Sequence, residues 1–249
     1  MLIRNIKNAE TTKTTEIQAL FEGIKDNIAY KTYKNKLIDS IENAYVAFID
    51  IASFSSKIKN WKVADVTGYL NRFYNSLFPI IKKYNGQIDK IMGDGIIIIF
   101  SDSFNLKSEN SAAKNCLYCC KCCIESLCNT DFEIKASIGS GKVFFNRLHI
   151  DDFYDEISCI GHPMTIAFRL ENEAEKNQIL IYEDDVANEN ESEDEKWSWF
   201  PPELIDLKGL DNQCVRRYQY NEGQNMDDDL PEELFDEFRQ KARELYGPF

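Results

Sequence analysis

The sequence predicts an α+β domain, a mixed sheet with helices packed on it. Three observations predict it. Short apolar runs alternate with longer stretches whose apolar residues recur every three or four positions, as strands interleaved with amphipathic helices do. The two clearest strand-like runs flank Gly93-Asp94-Gly95, a tripeptide suited to a tight hairpin turn. At 249 residues, 43% of them hydrophobic, the chain can bury a core without disulfide staples.

The elements follow in order. Residues 1–43 are mixed and Lys-rich, with a helix predicted around 15–28, and form an N-terminal extension. Residues 45–50 are apolar almost throughout and read as a central strand. Residues 52–60 read as a polar loop. From 61 to 84 the residues Val63, Val66, Leu70, Phe73, Leu77, Ile80 and Tyr84 keep helical spacing, and Asn85-Gly86 ends that helix. Strands at 87–92 and 96–100 then make the hairpin. A helix over 108–129 carries Cys116, Cys119, Cys120, Cys122 and Cys123. Their C-x-x-C spacings admit zinc, but Ala112, Cys116, Cys119, Cys120, Cys123 and Leu127 fall on one helical stripe, which points to reduced thiols packed as small apolar groups.

Two strands are predicted at 133–138 and 142–145, around Gly139-Ser140-Gly141, and a third ends near Ile160. Pro163 opens a helix that runs through Arg169 to Ala174. Residues 178–182 and 214–220 are strands, and 183–196 is charge-dense. A polar linker and an amphipathic helix over 230–246 complete residues 221–249. The organisation is thus an extension (1–43), a catalytic domain (44–220) and a C-terminal tail (221–249).

The formal net charge of −13 argues against a broad nucleic-acid surface. A bound polyanion would need local attraction from metal ions and a few placed cations. The apolar runs, such as 96–100, are strand-sized, and no apolar block follows the first residues. No membrane association is expected, and the expected location is the cytoplasm.

Two acids stand out by position. Asp50 ends a buried strand, and Asp94 sits at the tip of the glycine hairpin. A carboxylate in such a place is costly unless it is paired or metal-bound, and two from neighbouring strands could hold divalent ions against a triphosphate. Each also has an ordinary alternative, Asp94 as a turn residue and Asp50 as a loop cap.

Phe48-Ile49-Asp50-Ile51-Ala52-Ser53-Phe54-Ser55 and Gln87-Ile88-Asp89-Lys90-Ile91-Met92-Gly93-Asp94-Gly95 resemble the two metal-binding motifs of class III adenylate and guanylate cyclases. Ile160-Gly161 with Ala167-Phe168-Arg169-Leu170 resembles a third motif, and Leu207-Lys208-Gly209 a late Lys-Gly signature. The four blocks agree in order and spacing across residues 44–220. The resemblance implies a ferredoxin-like, palm-type sheet. It also implies cyclisation of a nucleoside triphosphate to a 3′,5′-cyclic monophosphate, with release of pyrophosphate.

The implied roles are residue by residue. Asp50 and Asp94 bridge two divalent ions, Mn²⁺ or Mg²⁺, and the Ile51 carbonyl adds a ligand. Backbone N–H groups of Ala52, Ser53, Phe54 and Ser55 hold the phosphates. Arg169 stabilises the charge growing at the α-phosphate. Lys208 is a triphosphate contact, or else an ordinary surface lysine. Lys90 and Ser158 face the base. The family forms its site between two domains, so a homodimer with interface sites is implied, with Lys90, Ser158, Thr165 and Arg169 coming from the second subunit.

Three departures stand out. Ser53 replaces a glycine, which suggests a less tight phosphate loop. Thr165 replaces the asparagine that orients the ribose. Ser158 replaces the acid or threonine that partners the lysine in adenylate cyclases. Lys90 offers only donors and so disfavours guanine, whose N1 edge is itself a donor. Ser158 does not separate ATP from UTP or CTP. The short chain layout is similar to the pyrimidine cyclases of the bacterial Pycsar antiphage system, which make cUMP or cCMP as an alarm signal. The expectation is therefore a uridylate or cytidylate cyclase. Adenylate cyclase is the alternative, and a degenerate nucleotide-binding regulator is a further one.

Overall fold

The computed structural model describes residues 37–104, 108–128, 130–151, 153–182, 196–210 and 212–221. The helices predicted at 15–28 and 230–246, and the charged segment 183–195, lie outside these. The chain divides into two compact units. The larger runs over Asn43–Val143 and from Gly161 onward, and the described part of the smaller is 37–42 with 144–160.

In the larger unit the sheet order is β2 (Gln87–Met92), β3 (Gly95–Phe100), β1 (Ile41–Ile51), β4 (Ile134–Ile150), β6 (Gln178–Tyr182), β9 (Gln213–Tyr220), β7 (Trp197–Trp199). Strand β8 (Glu203–Ile205) also pairs with β9. The β2–β3 and β1–β3 pairs are antiparallel, and β4–β6 is parallel. A parallel pair needs a crossover, and helix α4 (His162–Glu173) lies in the connection that supplies it.

Side chains on a strand alternate between faces, and the core follows that alternation. Ala47, Ile49 and Ile51 of β1, Ile96 and Ile98 of β3, and Ile134, Ala136 and Ile138 of β4 share one cluster. Phe73, Leu77 and Ile81 of α2 (Val63–Lys83) join it, with Cys116, Cys119, Cys120 and Cys123 of α3 (Ala112–Leu127). On the other face Leu180 of β6 packs with Ile166 and Leu170 of α4 and with Ala174 just past its end. Asp50 has the parity of Phe48, whose ring meets Phe168 of α4 with centroids 4.9 Å apart. It therefore belongs to the α4 face.

The cysteine stripe is core. Burial pushes the Cys116 and Cys119 thiols well above their usual range, so they pack neutral, whereas a metal needs thiolates. Ser111 caps α3, its hydroxyl accepting from the Lys114 N–H at 3.2 Å.

The structure corrects several expectations. Residues 52–60 contain α1 (Phe54–Ile58). Phe54 is buried and stacks on Tyr69 at 6.2 Å, and one turn is too short to show a period. Residues 134–150 are one strand, not two around a glycine turn. Gly139 is there because a Cβ would stand 2.2 Å from the Pro163 carbonyl oxygen, so α4 lies against bare backbone. The stripe of α2 centres on Tyr69, Phe73, Tyr74, Leu77 and Ile81, leaving Val63 83% exposed. Strands β7 and β8 and the 3₁₀ turn Asp102–Phe104 are three residues each, too short for pattern to reveal.

In the smaller unit the outer part of β4 pairs with β5 (Tyr154–Gly161). The Asp39 N–H donates to the Phe145 carbonyl at 2.9 Å and the Phe145 N–H to the Ser40 carbonyl at 3.2 Å. Arg147 grips Asp155 with two hydrogen bonds of 2.8 Å. Among the described residues no helix is long and apolar enough to cross a membrane.

Candidate active site

The register Ile49↔Ile96 between β1 and β3 brings Asp50 beside the β2–β3 turn. The turn places Gly93 at φ 66°, which a two-residue turn with glycine first requires. The buried Tyr74 of α2 donates its hydroxyl to the Gly93 carbonyl and ties the turn down. At Gly95 a Cβ would stand 2.5 Å from the Phe48 ring and 3.2 Å from Asp50 Oδ1. Glycine there keeps the space between the two acids open.

Asp50 and Asp94 meet at this corner and share a hydrogen bond. Burial, then the Asp94 charge, then Glu171 push the Asp50 carboxyl up to about 8, with Lys135 opposing. Burial also raises Asp94. The Tyr74 hydroxyl rises for the same reasons, burial first and then the two aspartates. Carboxyl groups this close hold a proton between them in place of two negative charges.

Sequence reasoning missed Glu171 and Lys135. Glu171 of α4 is 8% exposed and hydrogen-bonds to Asp50. Lys135 of β4 meets its Oε1 at 2.8 Å. The sequence did carry a signal for Glu171, because Ala167, Leu170, Glu171 and Ala174 keep helical spacing. An acid in an apolar stripe needs a partner. Lys135 has the β4 parity opposite to Ile134 and Ala136, and so shares the α4 face.

The other expected residues divide by location. Thr165 and Arg169 are exposed on α4, one turn apart. At ~100° per residue, Arg169 points about 200° around the helix from Glu171, away from its own chain's acids. Lys90 is half-buried on β2 opposite Ile97, after a register shift at Ile88. Lys208 is exposed on a turn anchored by buried Leu207, with Gly209 at φ 80°. Ser158 is half-buried on β5 in the smaller unit.

Ser53 takes φ 57°, ψ 26° at the head of α1, so it adopts the left-handed conformation that glycine favours. The Ala52 N–H donates to the Glu133 carbonyl at 2.7 Å. The N–H groups free of intrahelical partners are therefore those of the first turn of α1, at Phe54 and Ser55 and next to Ser53. Among the described residues no three His, Cys, Asp or Glu side chains group so as to hold a metal. The candidate site is a pair of acids.

No family model and no curated protein matches this sequence. Solved structures match its fold. The guanylyl cyclase Cya2 aligns at TM-score 0.61 and 18% identity, over 75% of this chain and 97% of that one. The guanylate cyclase domain of RhGC from Catenaria anguillulae, in complex with GTP, gives 0.61 and 18%, over 73% and 98%. The adenylyl cyclase CyaB from P. aeruginosa gives 0.58 and 20%, over 74% and 96%. The fold is that of a class III cyclase catalytic domain. Within the cyclase fold, Asp50 and Asp94 lie at adjacent strand ends on the helix α4 face. At this identity the likeness speaks for architecture, and the chemistry has to be argued from the side chains themselves.

Proposed function

We propose that the protein is a nucleotide cyclase that converts a nucleoside triphosphate to its 3′,5′-cyclic monophosphate and pyrophosphate. The observation that carries the proposal is the convergence of Asp50 and Asp94 at a glycine-cleared corner. Their oxygens suit a hard divalent cation. The raised Asp50 carboxyl means that mutual repulsion is relieved by a proton in the metal-free protein, and a cation would relieve it more fully. Asp50, Asp94 and the Ile51 carbonyl would hold two ions, Mn²⁺ or Mg²⁺. Bound there, the ions supply Lewis acidity to the ribose 3′-hydroxyl and neutralise phosphate charge.

The chain's own groups do the rest. First-turn N–H groups of α1 cradle the terminal phosphates, and Lys208 adds a cation. Thr165 hydrogen-bonds the ribose, and Arg169 stabilises charge at the α-phosphate. Because Arg169 points away from its own chain's acids, the complete site takes α4 from a second copy. A head-to-tail homodimer then has two equivalent sites, with Lys90, Thr165 and Arg169 on one side of each.

The favoured substrate is UTP or CTP. A donor-only Lys90 leaves guanine's N1–H unpaired, at a cost of about 1–3 kcal/mol. Lys90 also suits the N1 acceptor of adenine, so adenylate cyclase is the second reading. In the pyrimidine reading the product is a defence signal. Purified protein incubated with all four triphosphates and Mn²⁺, with products read by mass spectrometry, tests this. Cyclic UMP or CMP is expected. Cyclic AMP overturns only the pyrimidine preference, cyclic GMP as main product overturns the role of Lys90, and no cyclic product overturns the cyclase.

A further inference from the structure

Helix α4 does two things on opposite faces. Its inner face packs Ile166 and Leu170, with Ala174 just past its end, on Leu180, Leu207 and Val215, and the Ala167 carbonyl accepts the buried Ser137 hydroxyl at 2.7 Å. Its outer face presents Thr165 and Arg169. Glu171 lies on the inner face, nearly sealed from solvent, with Lys135 at 2.8 Å and a hydrogen bond to Asp50. A buried carboxylate held by an ion pair and a hydrogen bond has little freedom, because losing either partner leaves a desolvated charge. Arg169 and Thr165 are exposed, and Glu173 stands exposed at the helix end, so Glu171 is the buried acid by which α4 meets the corner.

We infer that Glu171 is a positioning residue that orients Asp50 for its cation and ties helix α4, and with it Arg169, to that corner. The inference rests on the metal assignment proposed above. It goes further, because it makes occupancy of one chain's acids felt by the helix that serves the other site. The link is short and rigid. Glu171 and Arg169 are two residues apart in one helix, so a displacement of the Glu171 carboxylate that turns or slides α4 carries the guanidinium with it. Lys135 supplies the opposite charge that keeps Glu171 and an ionised Asp50 together. Such a group outside the ligand set typically changes metal affinity by about 10–100-fold when removed.

The experiment needs no turnover. Mn²⁺ binding to the full chain without nucleotide is followed by electron paramagnetic resonance for wild type, Asp50→Ala and Glu171→Gln. Amide exchange over residues 162–173 is measured with and without saturating Mn²⁺. Wild type is expected to slow exchange in this helix on binding Mn²⁺. Glu171→Gln is expected to bind Mn²⁺ about tenfold more weakly, and to show no Mn²⁺-dependent slowing even when saturated. If that variant does not fold, Glu171→Asp, which keeps the charge one methylene further back, is expected to weaken Mn²⁺ binding in the same direction. Wild-type affinity in a folded Glu171 variant overturns the inference, as does wild-type exchange that ignores Mn²⁺ or slowing that persists in Glu171→Gln. If Asp50→Ala binds Mn²⁺ as wild type does, the metal assignment fails and takes the inference with it. If Asp50→Ala loses Mn²⁺ and Glu171→Gln keeps it, only the inference fails.

Discussion

The acid corner and the outer face of α4 differ in how they are held. At the corner Asp50 and Asp94 touch each other, Glu171 and Tyr74 close in, and Lys135 supplies the counter-charge. On the outer face Thr165 and Arg169 stand in solvent. Yet both rest on one helix, which is pressed onto the bare backbone of Gly139. The corner is complete within one chain and crowded with acids, whose repulsion a proton relieves. The outer face is unstrained and, under the proposed function, incomplete. A charge cluster of the first kind is expected to answer to pH and metal, and a solvent-facing arginine of the second kind to association.

The largest effect follows from that division. Asp50→Ala and Arg169→Ala are each expected to lower turnover at least about a thousandfold, on the scale of losing a charge-stabilising group, with unfolding curves little changed. Mixed and allowed to exchange subunits, they should recover about a quarter of wild-type activity, because half the dimers carry one intact site of two. Continued inactivity despite proven exchange would break the comparison by placing both groups in one chain's site.

Next comes the base. Lys90→Gln adds an acceptor where there were only donors, and should raise relative turnover of GTP by about tenfold, equivalent to ~1.4 kcal/mol. The assay is competition among the four triphosphates in one tube. An unchanged product ratio would remove Lys90 from base recognition.

The pH response of the metal-free protein is smaller and belongs to the corner alone. Asp50 titrates near 8 in the folded chain against 3.8 ordinarily. The folded state therefore holds this proton where the unfolded chain has released it, and stability is lost as pH rises from about 4 through 8. Melting temperatures in a chelator at pH 5, 6.5 and 8 should decline. Asp50→Asn, which cannot ionise, should flatten the decline, and saturating Mn²⁺ should remove most of it in wild type. A decline of equal slope in Asp50→Asn would show that other groups cause it.

The smallest effect concerns the loop that joins β1, the strand of Asp50, to α1. Ser53 holds a left-handed conformation that costs a non-glycine residue roughly 1–2 kcal/mol. Glycine gives part of that back through its greater freedom when unfolded. Ser53→Gly should stabilise by less than about 1 kcal/mol without lowering turnover. Denaturant unfolding reads the first and a product assay the second. A destabilised variant would mean that the hydroxyl has a structural role.

Much of this was legible in the residues. The strand ending at Asp50, the hairpin with Asp94 at its tip, the cysteine helix and the helix opened by Pro163 all follow from local pattern. In each, burial of one face or the φ preference of glycine and proline is decided within a few positions of chain. The same logic made residues 134–150 look broken, since glycines at 139 and 141 usually mark a turn. The reason for Gly139 lies across the fold, in the Pro163 carbonyl. Glu171 escaped for a related reason. Its partners Lys135 and Asp50 come from distant strands, and in sequence it is one acid among many in an acidic chain.

By itself, then, the sequence determined the strand that carries Asp50, the β2–β3 hairpin with Asp94 at its tip and the helices α2, α3 and α4, because periodicity and turn chemistry are local. Only the tertiary structure decided that those acids share a proton, that Lys135 and Glu171 brace them, and that Arg169 faces away. Each of these depends on distances between segments far apart in the chain, and at distances of a few ångströms Coulomb energy and desolvation change steeply.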